Sequence, residues 1–357
     1  MTHALALAAR GLGTVWPNPA VGCVIVKDGV VIGRGWTQPG GRPHAETMAL
    51  AAAGDAAKGA SAYVTLEPCA HHGQTPPCAD ALAAASVARV VVAIRDPDPR
   101  VNGGGIERLR AAGMAVETGV CAVAAARLQK GFLTRVGEGR PMVTLKLANS
   151  FDGRIATATG ESRWITGPGA RRAAHAMRAR HDAVLVGGGT ARADDPALTV
   201  RELGVAKQPV RVVWSRRLDL PLNGKLAQSA QEVPVWLCHG RDAAAGLKDA
   251  WAGLGARLIE VPTGAAGQID PVAALQALGD AGLTRVFCEG GGAVAASLLG
   301  AGLVDEIIGF TAGLALGAEG RPSLGALGLG KLAEAPRFRL IETREVDGDV
   351  LHRWERA

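Results

Sequence analysis

Short apolar runs and helical stretches alternate along almost the whole chain. The first part reads as a helix over about residues 2–11, then a strand around 21–27, which Asp28-Gly29 turns into a second strand at 30–36. A helix starting near His44 follows, then a strand at 61–66, a helix from Cys78, a strand at 89–94 and another helix–strand pair ending near Thr118. A further helix is expected to stop at about Leu128, and the polar segment Val136-Gly137-Glu138-Gly139-Arg140-Pro141 reads as a joint between domains. Beyond it, apolar strands at 142–147, 183–186, 210–214, 235–238, 258–261, 286–288 and 306–311 are interleaved with helical stretches. Strands that alternate with helices imply sheets covered by helices, so two α/β domains are expected, 1–139 and 140–357. No repeat of fixed period interrupts the pattern.

With 357 residues, 48% of them apolar and 20% charged, each domain is large enough to bury its own core. No stretch of about 18 residues is apolar enough to read as a membrane span, and no basic leader precedes an apolar core at the N-terminus. A cytoplasmic protein without a membrane partner is expected. Six cysteines scattered through so long a chain read as reduced thiols or metal ligands, not as a disulfide framework. The net charge of +6 suits anionic partners, but aromatic residues make up only 4%, with a single Tyr. Stacking platforms for single-stranded nucleic acid are therefore scarce, and small phosphate esters are favoured over nucleic acid.

The strongest chemical signal is His44-Ala45-Glu46 followed by Pro68-Cys69 and Pro77-Cys78. One imidazole and two thiolates are three protein ligands for Zn2+, and three ligands leave a coordination position open, as catalytic zinc sites do. Glu46 lies two residues after the ligand His44, at the start of a helix, where a carboxylate can move protons between water and a departing amine. The signature of zinc deaminases, His-x-Glu with Pro-Cys-x-x-Cys, is matched in its first half. In the second half eight residues, not two, separate Cys69 from Cys78. The competing reading makes the cysteines small core residues and His44 a helix cap. His71 and His72 in the spacer read as substrate contacts or solvated loop residues. Cys23, Cys121, Cys238 and Cys288 read as inert core thiols in strands or helices.

In the second half, the strand at 286–288 runs into Glu289-Gly290-Gly291-Gly292 and a helix over 293–299, which would turn bare backbone amides toward a phosphate. Without a Gly-x-Gly-x-x-Gly fingerprint, a Rossmann domain is disfavoured. Arg178 and Arg201 could fork around a substrate phosphate.

Several runs extend these signals. They are Pro17-Asn18-Pro19-Ala20-Val21-Gly22-Cys23, the stretch from Leu66-Glu67-Pro68-Cys69 to Pro76-Pro77-Cys78, Asp96-Pro97-Asp98-Pro99 and Lys130-Gly131-Phe132. In the second half come Lys146-Leu147-Ala148-Asn149-Ser150-Phe151-Asp152-Gly153-Arg154, Gly160-Glu161-Ser162-Arg163-Trp164, Gly189-Thr190-Ala191-Arg192-Ala193-Asp194-Asp195-Pro196 and Glu289-Gly290-Gly291-Gly292. On these the sequence resembles the bifunctional riboflavin-biosynthesis deaminase/reductases over nearly its whole length.

The resemblance implies a cytidine-deaminase-like α/β/α domain followed by a dihydrofolate-reductase-like α/β domain. It also implies deamination of a diaminopyrimidinone ribosyl phosphate, then reduction of its ribose to ribityl by NADPH. By the same resemblance Asn18, His71 and Asp96 contact the deaminase substrate. Ala148, Trp164, Thr190, Asp194, Ser215, Gly291, Gly292, Ala293, Val294, Ala295, Ala296 and Ser297 line the cofactor. Ser162, Arg178, Leu198, Arg201 and Glu289 contact the second substrate, and Lys146, with Glu289 nearby, acts on the sugar C1′. A homo-oligomer, dimer or tetramer, is expected. Three positions depart from the family pattern: Gln74 where a basic residue is usual, Asp98 in place of Asn, and Trp214 where a smaller or acidic residue is expected. The rival readings are a nucleoside or tRNA deaminase with an unrelated C-terminal domain, and a non-catalytic binding protein in which zinc only holds a loop.

Overall fold

In the computed structural model, which describes residues 1–71, 76–264 and 267–357, Asp28 and Gly29 take positive φ of 50° and 78°. Two such residues form a turn whose twist suits a hairpin, and they join β1 (Gly22–Lys27) to β2 (Val30–Trp36). With β3 (Ser61–Val64), β4 (Arg89–Val92) and β5 (Ala115–Thr118) they make a five-stranded sheet in the order β2-β1-β3-β4-β5. β1 pairs antiparallel with β2 and β3, and β3, β4 and β5 run parallel. The helices of this half are α1 (Thr2–Ala8), α2 (Ala45–Ala53), α3 (Cys78–Ala84), α4 (Gly104–Ala111) and α5 (Ala122–Glu138).

Small residues set how closely α2 lies on the sheet. A Cβ on Gly35 would sit 2.1 Å from the Ala45 carbonyl oxygen, and one on Gly33 2.3 Å from that of Ala49. Ala45, Ala49 and Ala53 are buried on the helix side, so backbone meets backbone and the first turn of α2 is fixed against β2. The core beneath includes Cys23, Ile25, Leu66, Leu82 and Phe132. Helix α5 runs ten residues past its expected end at Leu128, because burial outweighs the glycines at 131 and 137. Gln129 Nε2 donates to the Ala20 carbonyl at 2.7 Å, Phe132 packs into the core, and Gly139, at φ 72°, ends the helix. Residues 136–138 are therefore its last turn and not a loop.

The chain divides into two compact units, Met1–Gly139 and Arg140–Ala357. The second contains β6 (Met142–Ser150), β7 (Arg154–Ala156), β8 (Ala183–Gly187), β9 (Val210–Trp214), β10 (Val235–His239), β11 (Arg257–Glu260), β12 (Arg285–Cys288), β13 (Glu306–Ala312), β14 (Arg321–Pro322), β15 (Phe338–Val346) and β16 (Asp349–Arg356). Its helices are α6 (Pro168–Arg178), α7 (Gly188–Asp194), α8 (Lys225–Gln228), α9 (Ala245–Gly253), α10 (Pro271–Asp280) and α11 (Gly292–Gly300). Nine strands form one sheet, ordered β11-β10-β9-β8-β12-β6-β13-β16-β15, and β7 pairs with β14 apart from it. From β11 to β13 neighbours are parallel, while β16 and β15 are antiparallel additions.

The β15–β16 hairpin is absent from the sequence reading. Its turn, Asp347-Gly348 at φ 55° and 85°, carries the same signal as Asp28-Gly29. Residues 338–346 are largely exposed without strict alternation, however, so the strand shows no period of two. No helix among the described residues is long and apolar enough to cross a membrane.

Two buried polar groups brace this unit. Arg140 makes paired hydrogen bonds of 2.7 and 2.9 Å with Asp305, which also accepts from the Val143 amide, so both buried charges are matched. His181 Nδ1 lies 2.7 Å from the Met177 carbonyl and Nε2 3.0 Å from the Thr144 hydroxyl, and burial pushes its pKa down to about 3 from 6.5. A folded-state pKa below the unfolded value means stability that is lost as pH falls from about 6.5 toward 3. Between pH 7 and 5 the wild type should lose about 2 kcal/mol more than His181→Gln, measured as the change in urea midpoint across the two pH values.

Candidate active sites

His44, Cys69 and Cys78 come from three elements: the residue before α2, the segment after β3, and the first residue of α3. Their ligand atoms all lie within 4.8 Å of one another, the one such group of His, Cys, Asp or Glu among the described residues. His44 Nδ1 is 3.3 Å from Cys78 Sγ and 3.7 Å from Cys69 Sγ, and the Cys78 amide donates to Cys69 Sγ at 3.3 Å. The His44 side chain makes no capping hydrogen bond to α2, which removes the helix-cap reading. A hydrogen bond from Cys78, supported by one from His44, pulls the Cys69 thiol well below its ordinary value. Two sulfurs and an imidazole nitrogen facing one point suit zinc, and no fourth protein ligand joins them among the described residues.

Glu46, only 3% exposed, stands in the first turn of α2. Burial, and then the Cys69 charge, push its carboxyl up to about 7. A cavity of about 300 Å³ opens here, lined among others by Asn18, His44, Glu46, Cys69, His71 and Asp96. The expected substrate contacts of this half thus share one space with His44 and Cys69, two of the three candidate metal ligands. His71 Nδ1 is buried and has no hydrogen-bond partner among the described residues. His72 and Gln74 lie outside the described residues. Of the four other cysteines, Cys23, Cys238 and Cys288 are buried, but Cys121 is exposed. It occupies a left-handed position at φ 60° before α5, so it is not a core thiol.

Glu67, to which the sequence reading gave no role, organises the floor of this cavity. Its Oε2 accepts from the amides of Asp96 and Gly103, and its Oε1 from those of Gly105 and Ile106. A buried carboxylate thus satisfies the first amides of α4 and favours that helix end electrostatically. It also ties the residue beside Pro68-Cys69 to the Asp96 loop. Burial pushes the Asp96 carboxyl up to about 6. Asp98 is held below the usual carboxylate range, because Arg100 makes a two-pronged pair with it. The negative charge introduced at position 98 is matched on the spot. Phe132 and Arg135 of α5 also line the cavity, hidden from the sequence reading by the early stop given to that helix.

In the second unit a cavity of about 520 Å³ is lined by Lys146, Ala148, Ser162, Trp164, Arg178, Thr190, Asp194, Leu198, Arg201 and Glu289, together with Arg171 and Lys225. A smaller space of about 190 Å³, sharing Lys146, Ala148, Thr190, Asp194 and Glu289, reaches Gly290, Gly291 and Ala295. The remaining expected cofactor contacts do not line either cavity. The Ser215 hydroxyl is buried and donates to Asp219, Gly292 packs on Gly325, and Val294, Ala296 and Ser297 are set along α11, whose Ala293 is exposed. Trp214 is buried within β9 and is likewise outside the lining.

Glu289 is the electrostatic centre of this space. Arg178 Nε and Nη2 both donate to its carboxylate, and Lys146 Nζ lies 4.0 Å away. Burial alone would raise the Glu289 pKa, but Arg178 and then Lys146 hold it below its ordinary value. Burial also lowers Lys146, against the pull of Glu289. Arg178 donates in addition to the Thr199 carbonyl at 2.8 Å, so it is half committed before any phosphate arrives. The arginine sits in the last turn of α6, and the far end of that helix is fixed by the β15–β16 turn. Asp349 accepts from the Gly167 amide at 2.7 Å, and Asp347 from that of Gly169 at 3.0 Å. At the start of α11, a Cβ on Gly290 would lie 2.6 Å from Val186 Cα, and one on Gly291 3.0 Å from Thr190 Oγ1. Side chains there would fill the cradle, whereas bare amides suit a phosphate-bearing cofactor.

The model of the cytidine and deoxycytidylate deaminase zinc-binding region matches residues 1–94, and that of the RibD C-terminal domain matches residues 141–352. The fold and sites therefore define a zinc-dependent deaminase joined to a reductase. The riboflavin biosynthesis protein RibD of Escherichia coli strain K12 is 44% identical, with 98% of this chain and 96% of that one covered, and the Aquifex aeolicus RibD is 39% identical over the same shares. A solved RibD of Acinetobacter baumannii, 42% identical, superposes with a TM-score of 0.89 over 100% of this chain and 97% of that one. For the Thermotoga maritima diaminohydroxyphosphoribosylaminopyrimidine deaminase/5-amino-6-(5-phosphoribosylamino)uracil reductase the values are 33% and 0.86 over the same shares. The chain belongs to the RibD family, the bifunctional deaminase/reductases of riboflavin biosynthesis. Zinc and NADPH are the cofactors of its two units. The C-terminal match sets aside the reading of an unrelated second domain.

Removing one candidate zinc ligand and removing the organising carboxylate should have separable effects. Cys69→Ser should bind zinc substoichiometrically by metal analysis while the reductase half keeps its activity. Glu67→Gln leaves buried amides short of acceptors and should cost about 2 kcal/mol or more, read as an earlier unfolding transition with zinc still bound.

Proposed function

We propose that the N-terminal unit deaminates 2,5-diamino-6-(5-phosphoribosylamino)pyrimidin-4(3H)-one with His44, Cys69 and Cys78 as zinc ligands and Glu46 as the proton carrier. The observation that carries this reading is the convergence of the three ligand atoms within 4.8 Å beside a buried carboxyl whose pKa is about 7. Zinc, when bound, supplies the Lewis acidity that makes a water nucleophilic near neutral pH. Glu46 takes the proton that water gives up and delivers it to the exocyclic amine, so that one water enters and one ammonia leaves. Burial raises the Glu46 carboxyl above its ordinary value, which favours its return of the proton it takes. Asn18, His71 and Asp96 hold the substrate in the same cavity.

The C-terminal unit reduces the ribosyl group of 5-amino-6-(5-phosphoribosylamino)uracil to ribityl: NADPH, when bound, would supply the hydride to C1′ as the C1′–O4′ bond breaks. Lys146, its ammonium held beside Glu289, stabilises charge developing on the sugar oxygen and supplies the balancing proton. Arg178 and Arg201 contact the substrate, with Ser162 and Leu198 in the same wall. Ala148, Trp164, Thr190, Asp194, Gly291 and Ala295 line the cofactor side. Ser215 and the rest of the 292–297 segment support that side from behind. The protein acts in the cytoplasm as a homo-oligomer, without nucleic acid or membrane partners.

Glu46→Gln should retain zinc and lose deamination by about 100-fold or more, while NADPH oxidation with the deaminated intermediate continues. Lys146→Ala should lower reductase turnover by about 100-fold and leave deamination intact. Product masses from the diaminopyrimidinone ribotide, with and without NADPH, separate the two steps. Near-normal deamination by a zinc-loaded Glu46→Gln protein would remove Glu46 from its role.

A further inference from the structure

We propose that Arg100, seated on Asp98, is the group that binds the substrate's 5′-phosphate in the N-terminal cavity. The inference rests on the deaminase reading above. Four carboxylates line that cavity, Glu46, Glu67, Asp96 and Asp98, and an incoming phosphate adds negative charge to them. Glu67 is occupied by four backbone amides, and Asp98 is paired with Arg100. The cations of the lining are Arg42, Arg100 and Arg135. Arg42 and Arg135 are half-buried and engaged within the protein, whereas the Arg100 side chain is 71% exposed.

The geometry of the pair matters as much as its charge. Arg100 uses Nε and one Nη2 hydrogen on the Asp98 carboxylate, and its backbone amide donates to the same Asp98 Oδ1 at 2.9 Å. Asp98 in turn donates its amide to Asp96 Oδ1 at 2.9 Å, so the turn is locked from both ends. A guanidinium carries five N–H donors in a rigid fork. The Nη1 pair and the second Nη2 hydrogen are left for a ligand, and among the described residues no protein acceptor takes them. An arginine held this way is already oriented, and little freedom is lost when phosphate binds. Asp98 acts through Arg100 and is a positioning residue. An aspartate placed alone at position 98 would weaken phosphate binding, but with Arg100 two residues on it becomes the seat of the cation.

The test compares deamination of the ribosyl phosphate substrate with that of the same compound lacking its phosphate, using the zinc-loaded full-length protein. The wild type should favour the phosphorylated compound in kcat/KM. That preference should fall about tenfold in Arg100→Ala, fall further in Arg100→Glu, and recover in part in Arg100→Lys. A general structural fault would lower both substrates together and leave their ratio unchanged, which would overturn the assignment of Arg100. A wild type with no preference for the phosphate would overturn it as well. Failure of the wild type to deaminate either compound would overturn the underlying deaminase reading instead.

Discussion

Bringing an imidazole and two thiols from three separate elements to one point requires those elements to be fixed to each other. In this chain two devices do so. The glycines of β2 let α2 press its alanines onto the sheet, which fixes His44 and Glu46 together. The Glu67 carboxylate, accepting four amides, fixes the segment after β3 that carries Cys69 to the start of α4. The elevated pKa of Glu46 follows from the same close packing, because burial is its largest cause.

The reductase half solves a different problem, that of keeping charge inside a cavity. Glu289 lies between Arg178 and Lys146, so none of the three stands uncompensated. A buried ion pair gains little net stability but strongly resists the loss of one partner. The sequence reading assigned Arg178 to a phosphate fork with Arg201. In the structure the two do line one wall, but Arg178 is anchored by Glu289 and by the Thr199 carbonyl, which makes it a rigid donor and not a free arm.

What the sequence made legible was whatever chemistry writes in fixed residue types. Zinc draws its ligands from a short list of residue types, so His44, Cys69 and Cys78, which the fold gathers within 4.8 Å, were readable as candidates despite the long spacer. Parallel strands buried on both faces write themselves as apolar runs, and those of the central sheet were found within a few residues. Glu67 was invisible because a single acid beside Pro-Cys gives no hint of the four amides it will meet after folding. The end of α5 was misplaced because glycines at 131 and 137 signal a break that the burial of Phe132 overrides. The C-terminal hairpin escaped because both faces of β15 are largely wet, although its Asp-Gly turn repeated a signal already used at residue 28.

The order of strands has a bearing on how this chain emerges from a ribosome. Every pairing of the five-stranded sheet is made by residues up to 118, so that sheet can be zipped while the second unit is still being translated. β6 is the first strand of the second unit, yet its neighbours are β12 and β13, with Met142 aligned to Arg285. Closure over so long a loop is slow, and it leaves a buried, apolar strand waiting exposed through most of the unit's synthesis. The first sheet is thus positioned to be complete early, while β6 stays unpaired until β12 and β13 have been made.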